Sequence, residues 1–230
     1  MSGIETPSQD NQPTDYLASV RDAILEAALP DVPFDGWSQH CFEKAVNTAG
    51  VDAGLALLAF PDGVMGLLDA FWKKQDAALA HEISRRGLHQ GRISQRIGES
   101  LKIYLALLRP HREAVRRALA LQALPMHAPG ALACLYRTVD VIWRSIGDQS
   151  TDFNFYSKRA VLAVIMTSVV THWLGDDGDD TLVMDAFIAR RVENVLAFEK
   201  IKARAGRLAQ NLPSLAPLLG RIAGRITGAR

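Results

Sequence analysis

The densest grouping of polar and aromatic chemistry in the chain is Asp152-Phe153-Asn154-Phe155-Tyr156-Ser157-Lys158-Arg159, which leads into a long apolar stretch. Residues of these types at this spacing serve one of two purposes. At a helix N-terminus, Asp152 or Asn154 accepts hydrogen bonds from backbone amides while the aromatics cover the helix end. On a surface, aromatics and arginine are the side chains that dominate interface energies. Neither purpose makes or breaks bonds, and the motifs that would are missing. There is no GxSxG, P-loop, GxGxxG or HExxH; His81-Glu82 continues as Ile83-Ser84-Arg85. No glutamate is followed by histidine three positions on, which removes the usual di-iron bundle pattern. His40, His81, His89, His111, His127 and His172 show no metal-ligand spacing. The run Asp176-Asp177-Gly178-Asp179-Asp180 has the acidity of a calcium loop but lacks the distal glutamate, and it reads as a solvated inter-helix loop. The expectation is a non-enzyme with no catalytic residue, metal or cofactor of its own.

The elements that position this motif are helical. Apolar residues recur at three and four along most of the chain, and strand-like alternation is nearly absent. The pattern predicts an all-α fold of nine core helices and an appended tenth. The predicted helices span about 17–28, 38–48, 52–60, 61–87, 93–109, 111–122, 132–147, 154–174, 181–208 and 213–228. Asp52 is placed to cap the third, Pro61 to open the fourth and Gly87 to close it. Pro125 and Pro129 read as bracketing a loop. Residues 1–14 read as a disordered, polar and acidic leader, unlike a secretory signal or a transit segment. Cys41 and Cys134 form no disulfide framework, so a reducing compartment is expected.

The helix over 154–174 is apolar nearly all round and must be buried on several sides. Its charge-free stretch, 160–175, is shorter than the roughly 20 residues a membrane span needs. Ile165, Met166 and Val169, with Met184 and Phe187 from the next helix, are candidates to line an apolar lipid pocket, since thioethers tolerate irregular shapes. Tight core packing or a dimer interface is the competing reading of the same residues.

The formal net charge of +1 conceals a polarised chain. Residues 1–72 sum to −9, residues 73–198 to +4 and residues 199–230 to +6. In residues 213–228, Leu215, Leu218, Leu219, Ile222 and Ile226 form one helical stripe, with Arg221 and Arg225 beside it. A basic amphipathic helix after the Pro213 break suits the plane of an anionic membrane. The alternative is a helix folded back on the domain or docked on another subunit.

Residues 15–72, with their short helices around the turn Ala49-Gly50-Val51, resemble the N-terminal domain of the tetracycline-repressor (TetR) family, whose third helix reads DNA. Here that helix is Asp52-Ala53-Gly54-Leu55-Ala56-Leu57-Leu58-Ala59-Phe60, and no cation occurs between Lys44 and Lys73. DNA affinity needs cations against phosphates and polar groups at base edges, so no nucleic-acid partner is expected.

The pattern Asp152-x-x-Phe155-Tyr156-Ser157-Lys158-Arg159-x-x-Leu162, then Trp173-Leu174, Asp176, Thr181, Phe187-Ile188 and Arg190-Arg191, resembles the accessory lipid-binding family of coenzyme Q biosynthesis, the ninth Coq proteins. Phe34-Asp35-Gly36-Trp37 and Phe60-Pro61-Asp62-Gly63 agree, over about residues 16–208; Phe155 stands where that family often has Trp. The resemblance implies a TetR-type fold and a non-catalytic homodimer that binds an isoprenoid lipid or quinone precursor. It also implies presentation of that cargo to the di-iron demethoxyubiquinone hydroxylase, through a docking patch at Asp152, Phe155, Tyr156 and Arg159. The expected organisation is a leader at 1–14, a degenerate helix-turn-helix at 15–72, a lipid-binding and dimerisation domain at 73–211 and a membrane-binding helix at 212–230. The expected location is the bacterial cytoplasm, peripheral on the inner face of the membrane, or the mitochondrial matrix side for a processed eukaryotic chain. The runner-up is a TetR-type ligand-responsive transcriptional regulator.

Deleting residues 213–230 should abolish co-sedimentation with anionic liposomes and leave the circular dichroism of the core helices unchanged. Undiminished sedimentation would exclude the tail as the membrane contact.

Overall fold

In the computed structural model, residues 12–148, 153–176 and 181–194 are described. The chain divides into two compact units, Met1–Val192 and Glu193–Arg230. Leu215, Leu218, Leu219, Arg221, Ile222, Arg225 and Ile226, like Asp152, lie outside the described residues.

The described residues form helices throughout, with no strand among them. In chain order these are α1 (Gln12–Ala28), α2 (Val32–Asp35), α3 (Gln39–Thr48), α4 (Ala53–Ala59), α5 (Val64–Arg85), α6 (Ile93–Leu108), α7 (Arg112–Gln122), α8 (Ala128–Ser145) and α9 (Phe153–Gly175). A tenth, α10, covers residues 181–194.

Local chemistry explains the boundaries. The Ser38 side chain accepts from the Cys41 amide at 3.2 Å and caps α3. Gly50, at φ +64°, takes the left-handed conformation that ends α3 and turns the chain. Asp52 then caps α4 by accepting from the amides of Gly54 (2.9 Å) and Leu55 (3.3 Å).

Prolines account for the differences from the sequence-based expectation. Pro33 sits in the first turn of α2, a four-residue helix too short to leave a periodic signal. Pro129 lies in the first turn of α8, which starts at Ala128 instead of about 132; a missing N–H costs nothing there. Pro61 lies in a turn ahead of α5, which begins at Val64.

Helix α5 is the shared element. It packs on α1 and α3 and also on α6 and α8, while α9 packs against α6 and α8. Its buried residues, Leu67, Leu68, Phe71, Trp72, Gln75, Asp76, Leu79 and Ile83, span more than one face, as a helix between two cores requires. Polar staples fix the rest. The Trp37 indole N–H donates to the Ala114 carbonyl at 2.9 Å, and Arg117 donates to the Pro33 carbonyl at 2.9 Å, tying the α2 region to α7. Arg112 and Arg116 of α7 donate to the carbonyls of Trp173 (2.8 Å) and Leu174 (2.9 Å), groups that the C-terminus of α9 leaves unsatisfied. Cys41 and Cys134 are free thiols. No single described helix is long and apolar enough to cross a membrane.

Candidate functional site

Helix α9 begins in the aromatic and basic motif, and the structure separates its members by role. Tyr156 is 65% exposed, whereas Arg159 is only 1% exposed. Arg159 was expected in a docking patch, but burial removes it from the surface. Its Nε and Nη2 donate to Asp140 Oδ1 on α8 at 2.7 and 2.6 Å, and Nη1 donates to the Phe155 carbonyl at 3.1 Å. Asp148 Oδ2 is 3.5 Å from Nη1. The guanidinium lies 3.3 Å from the centroid of the Phe155 ring, and Phe155 meets Tyr156 edge-on at 5.1 Å. A buried cation therefore holds Phe155, and Phe155 backs the exposed Tyr156. Nearby, Lys158 pairs with Asp148 at 2.7 Å and its backbone carbonyl accepts from the Trp143 indole at 3.2 Å. The α8–α9 junction is thus pinned from both sides of the motif.

Beyond the motif, α9 forms part of an apolar cavity of about 390 Å³ with contributions from α5, α6, α7 and α8. Met166, Thr167, Val170 and Thr171 line it from α9; Trp72, Tyr104, Leu119, Leu135 and Thr138 are among the residues facing them. Of the five residues expected to line a lipid pocket, only Met166 does so here. Ile165 and Val169 are fully buried. Met184 lines a second, smaller cavity of about 220 Å³ with Lys102, Arg109, Trp173 and Asp185. Phe187 stacks on His172 at 3.9 Å. The difference is one of rotation: around an apolar helix, periodicity does not mark the side that meets a void.

Next to Cys134, which lines the cavity, α8 and α5 carry polar groups that periodicity left unassigned. Arg137 Nη1 donates to Asp69 (2.7 Å) and its Nε to Asp76 Oδ2 (2.8 Å). Burial raises the pKa of Asp76 despite this partner. Burial acts on Asp69 in the same sense, but hydrogen bonds from Lys73 and Arg137 outweigh it and its pKa falls. Asp76 therefore bears the desolvation cost of the cluster. Burial also pushes the Cys134 thiol up to about 12 and raises the Tyr104 phenol, so both stay neutral at physiological pH. The available signal was Gln75-Asp76 interrupting the apolar face of α5.

Among the described residues, no three His, Cys, Asp or Glu side chains gather as metal ligands would. Helix α4, where a repressor would read DNA, presents Leu57 and Leu58 to solvent at 63% and 67% exposure. Arg21, one of two cations in residues 1–72, donates to the Ala59 carbonyl at 2.7 Å, at the end of α4.

Residues 128–199 match the COQ9 family model. The chain is 28% identical over 232 residues to the "Ubiquinone biosynthesis protein COQ9, mitochondrial" of Rattus norvegicus, covering 95% of this chain and 74% of that protein. It is 28% identical over 211 residues to the protein of the same name from Homo sapiens, covering 87% and 66% respectively. Among solved structures it is similar to a TetR transcriptional regulator from Nitrosomonas europaea, with a TM-score of 0.62 at 18% identity, over 77% of this chain and 98% of that one. That likeness establishes a TetR-like fold.

Replacing Arg159 with Met should destabilise the fold by about 1.5 to 3 kcal/mol, because Asp140 and the Phe155 carbonyl lose a buried charged donor, although Asp140 keeps Arg144 at 2.6 Å. Urea denaturation measures this; a loss below about 1 kcal/mol would mean the pair behaves as a surface ion pair.

Proposed function

We propose that this chain, which carries a COQ9 domain and a TetR-like fold, serves ubiquinone biosynthesis as a non-catalytic binder of an isoprenoid lipid or quinone precursor. The observation that carries this reading is the cavity. Its volume, about 390 Å³, falls in the range of roughly 300–1,000 Å³ typical of small-molecule sites, and its wall is mainly apolar. Ten of its fifteen lining residues lie within the span that matches the COQ9 model.

The same reading has the cargo presented to a partner enzyme, the di-iron demethoxyubiquinone hydroxylase, whose metal centre does the chemistry. Tyr156, with Phe155 behind it, is the contact best suited to that docking, since an exposed aromatic on a rigid base loses little entropy on binding. Arg159 acts beneath the surface by holding Phe155. A homodimer draws support from the exposed Leu132 and Tyr136 on α8 and Val164 on α9, apolar side chains that a second copy would cover. The basic stripe of residues 213–228 supplies the membrane contact through which a lipid leaves the bilayer. The relatives are named mitochondrial, which accords with a matrix-side location for a processed eukaryotic chain. A DNA-binding regulator draws less support, because α4 offers leucines where phosphates and base edges require polar and cationic groups.

Organic extraction of the purified full chain followed by mass spectrometry should recover an isoprenoid lipid. Recovery of phospholipid alone, or of nothing, would overturn the cargo assignment. Replacing Tyr156 with Ala should weaken capture of the hydroxylase by about thirtyfold, corresponding to a hot-spot loss near 2 kcal/mol, with the melting temperature unchanged. A matching fall in thermal stability would make the residue part of the helix cap instead.

A further inference from the structure

The turn that joins α7 to α8 is apolar where a surface connection is ordinarily polar. In residues 123–133 the one polar side chain is His127, whereas connections usually draw on Ser, Thr, Asn and Asp as well as Gly and Pro. Met126 is 78% exposed and Leu124 46%. Ala123, Pro125, Ala128 and Pro129 are exposed as well. A contiguous apolar surface of this kind marks contact with another protein or with a membrane.

Three observations favour the membrane. The first is the backbone. An ordinary loop cannot enter lipid, because its amides lose water and gain no partner. Here the Ala123 amide donates to the Leu119 carbonyl at 2.9 Å, Leu124 to Leu121 at 3.2 Å and His127 to Leu124 at 2.9 Å. The Ala128 amide donates to the Pro125 carbonyl, and Pro125 and Pro129 have no N–H to satisfy. The second is charge. No acidic residue occurs from Ala114 to Val139, so the turn carries no carboxylate to desolvate or to oppose an anionic headgroup. The third is position. Ala123 and Ala128 are exposed and also line the apolar cavity, so the cavity meets the surface at this turn.

We propose that the α7–α8 turn, residues 123–129, inserts into the headgroup layer of a lipid bilayer, with Leu124 and Met126 as its apolar tip. The partner is a lipid surface, and the cavity then opens onto the membrane instead of onto water. This rests on the reading of the cavity as a lipid site and adds the place where lipid enters it. It is separate from the tail at 213–228, whose arginines act through charge. A contact made by leucine and methionine is insensitive to salt, whereas attraction between cations and anionic lipid is screened.

The test uses the full chain and vesicles of phosphatidylcholine and phosphatidylglycerol, with and without brominated acyl chains. Trp37, Trp72, Trp143 and Trp173 are all buried, so bilayer quenchers reach them poorly. Met126→Trp places a reporter at the tip, and its emission should shift to the blue on vesicles. Bromolipid should quench that variant at least about twofold more than the unmodified chain, since interfacial side chains sit about 5–10 Å into the headgroup boundary. The unmodified chain also corrects for bromolipid that enters the cavity beside Trp72. Leu124→Ser together with Met126→Ser should lower vesicle partitioning at high salt by about fivefold, with the melting temperature and the particle mass in solution unchanged. Quenching no greater than in the unmodified chain would overturn the insertion. So would unchanged partitioning of the serine pair, and so would a fall in its particle mass, which would make the turn a seam between copies. If any of these occurs while organic extraction still recovers an isoprenoid, the insertion fails and the cargo reading stands.

Discussion

The structure depends on α5 lying between two groups of helices. A helix of 22 residues extends about 33 Å, and it packs on both the helix-turn-helix region and the larger helical group. Because both groups pack on it, its apolar surface cannot be a single stripe. Leu67, Leu68 and Phe71 meet neighbours near its start, and Leu79 and Ile83 continue the burial toward its end. The polar residues Gln75 and Asp76 fall within this buried surface, and that is where the fold departs from a purely hydrophobic arrangement.

That departure requires Arg137. A carboxylate in an apolar interior is costly unless a cation and hydrogen bonds accompany it. Arg137 reaches from α8 to both Asp69 and Asp76, so one guanidinium links α5 and α8. The opposite pKa directions of the two acids show how unevenly that support is divided: Asp69 has Lys73 as well, and Asp76 does not. Arg159 does the corresponding work between α8 and α9 through Asp140. Helix α8 is therefore tied by ion pairs to both α5 and α9.

Much of this arrangement was readable before any coordinates. The all-α class, the turn at Gly50, the Asp52 cap and the buried character of α9 follow from helical periodicity and from residues with special backbone or capping roles. Pro129 was misread because proline both ends helices and starts them, and the choice is made by what packs against Ala128 and beyond. Placement on α9 was harder still. Ile165, Met166 and Val169 are equivalent by composition, and only the positions of Trp72 and Tyr104, far away in sequence, decide that Met166 meets the cavity. Arg159 misled for a related reason: arginine between a lysine and an alanine at a helix start resembles a surface residue until Asp140 is known to face it.

The same physics explains why a repressor-like frame can carry a different activity. In such a frame DNA contact depends on a few exposed positions of α4 and on cations near them, while the cavity depends on α5 through α9. Here Leu57 and Leu58 occupy exposed α4 positions, and Arg21 is committed to the carbonyl of Ala59. Helix α4 thus has no cation of its own to set against a phosphate. The ion pairs of Arg137 with Asp69 and Asp76 involve no residue of α4.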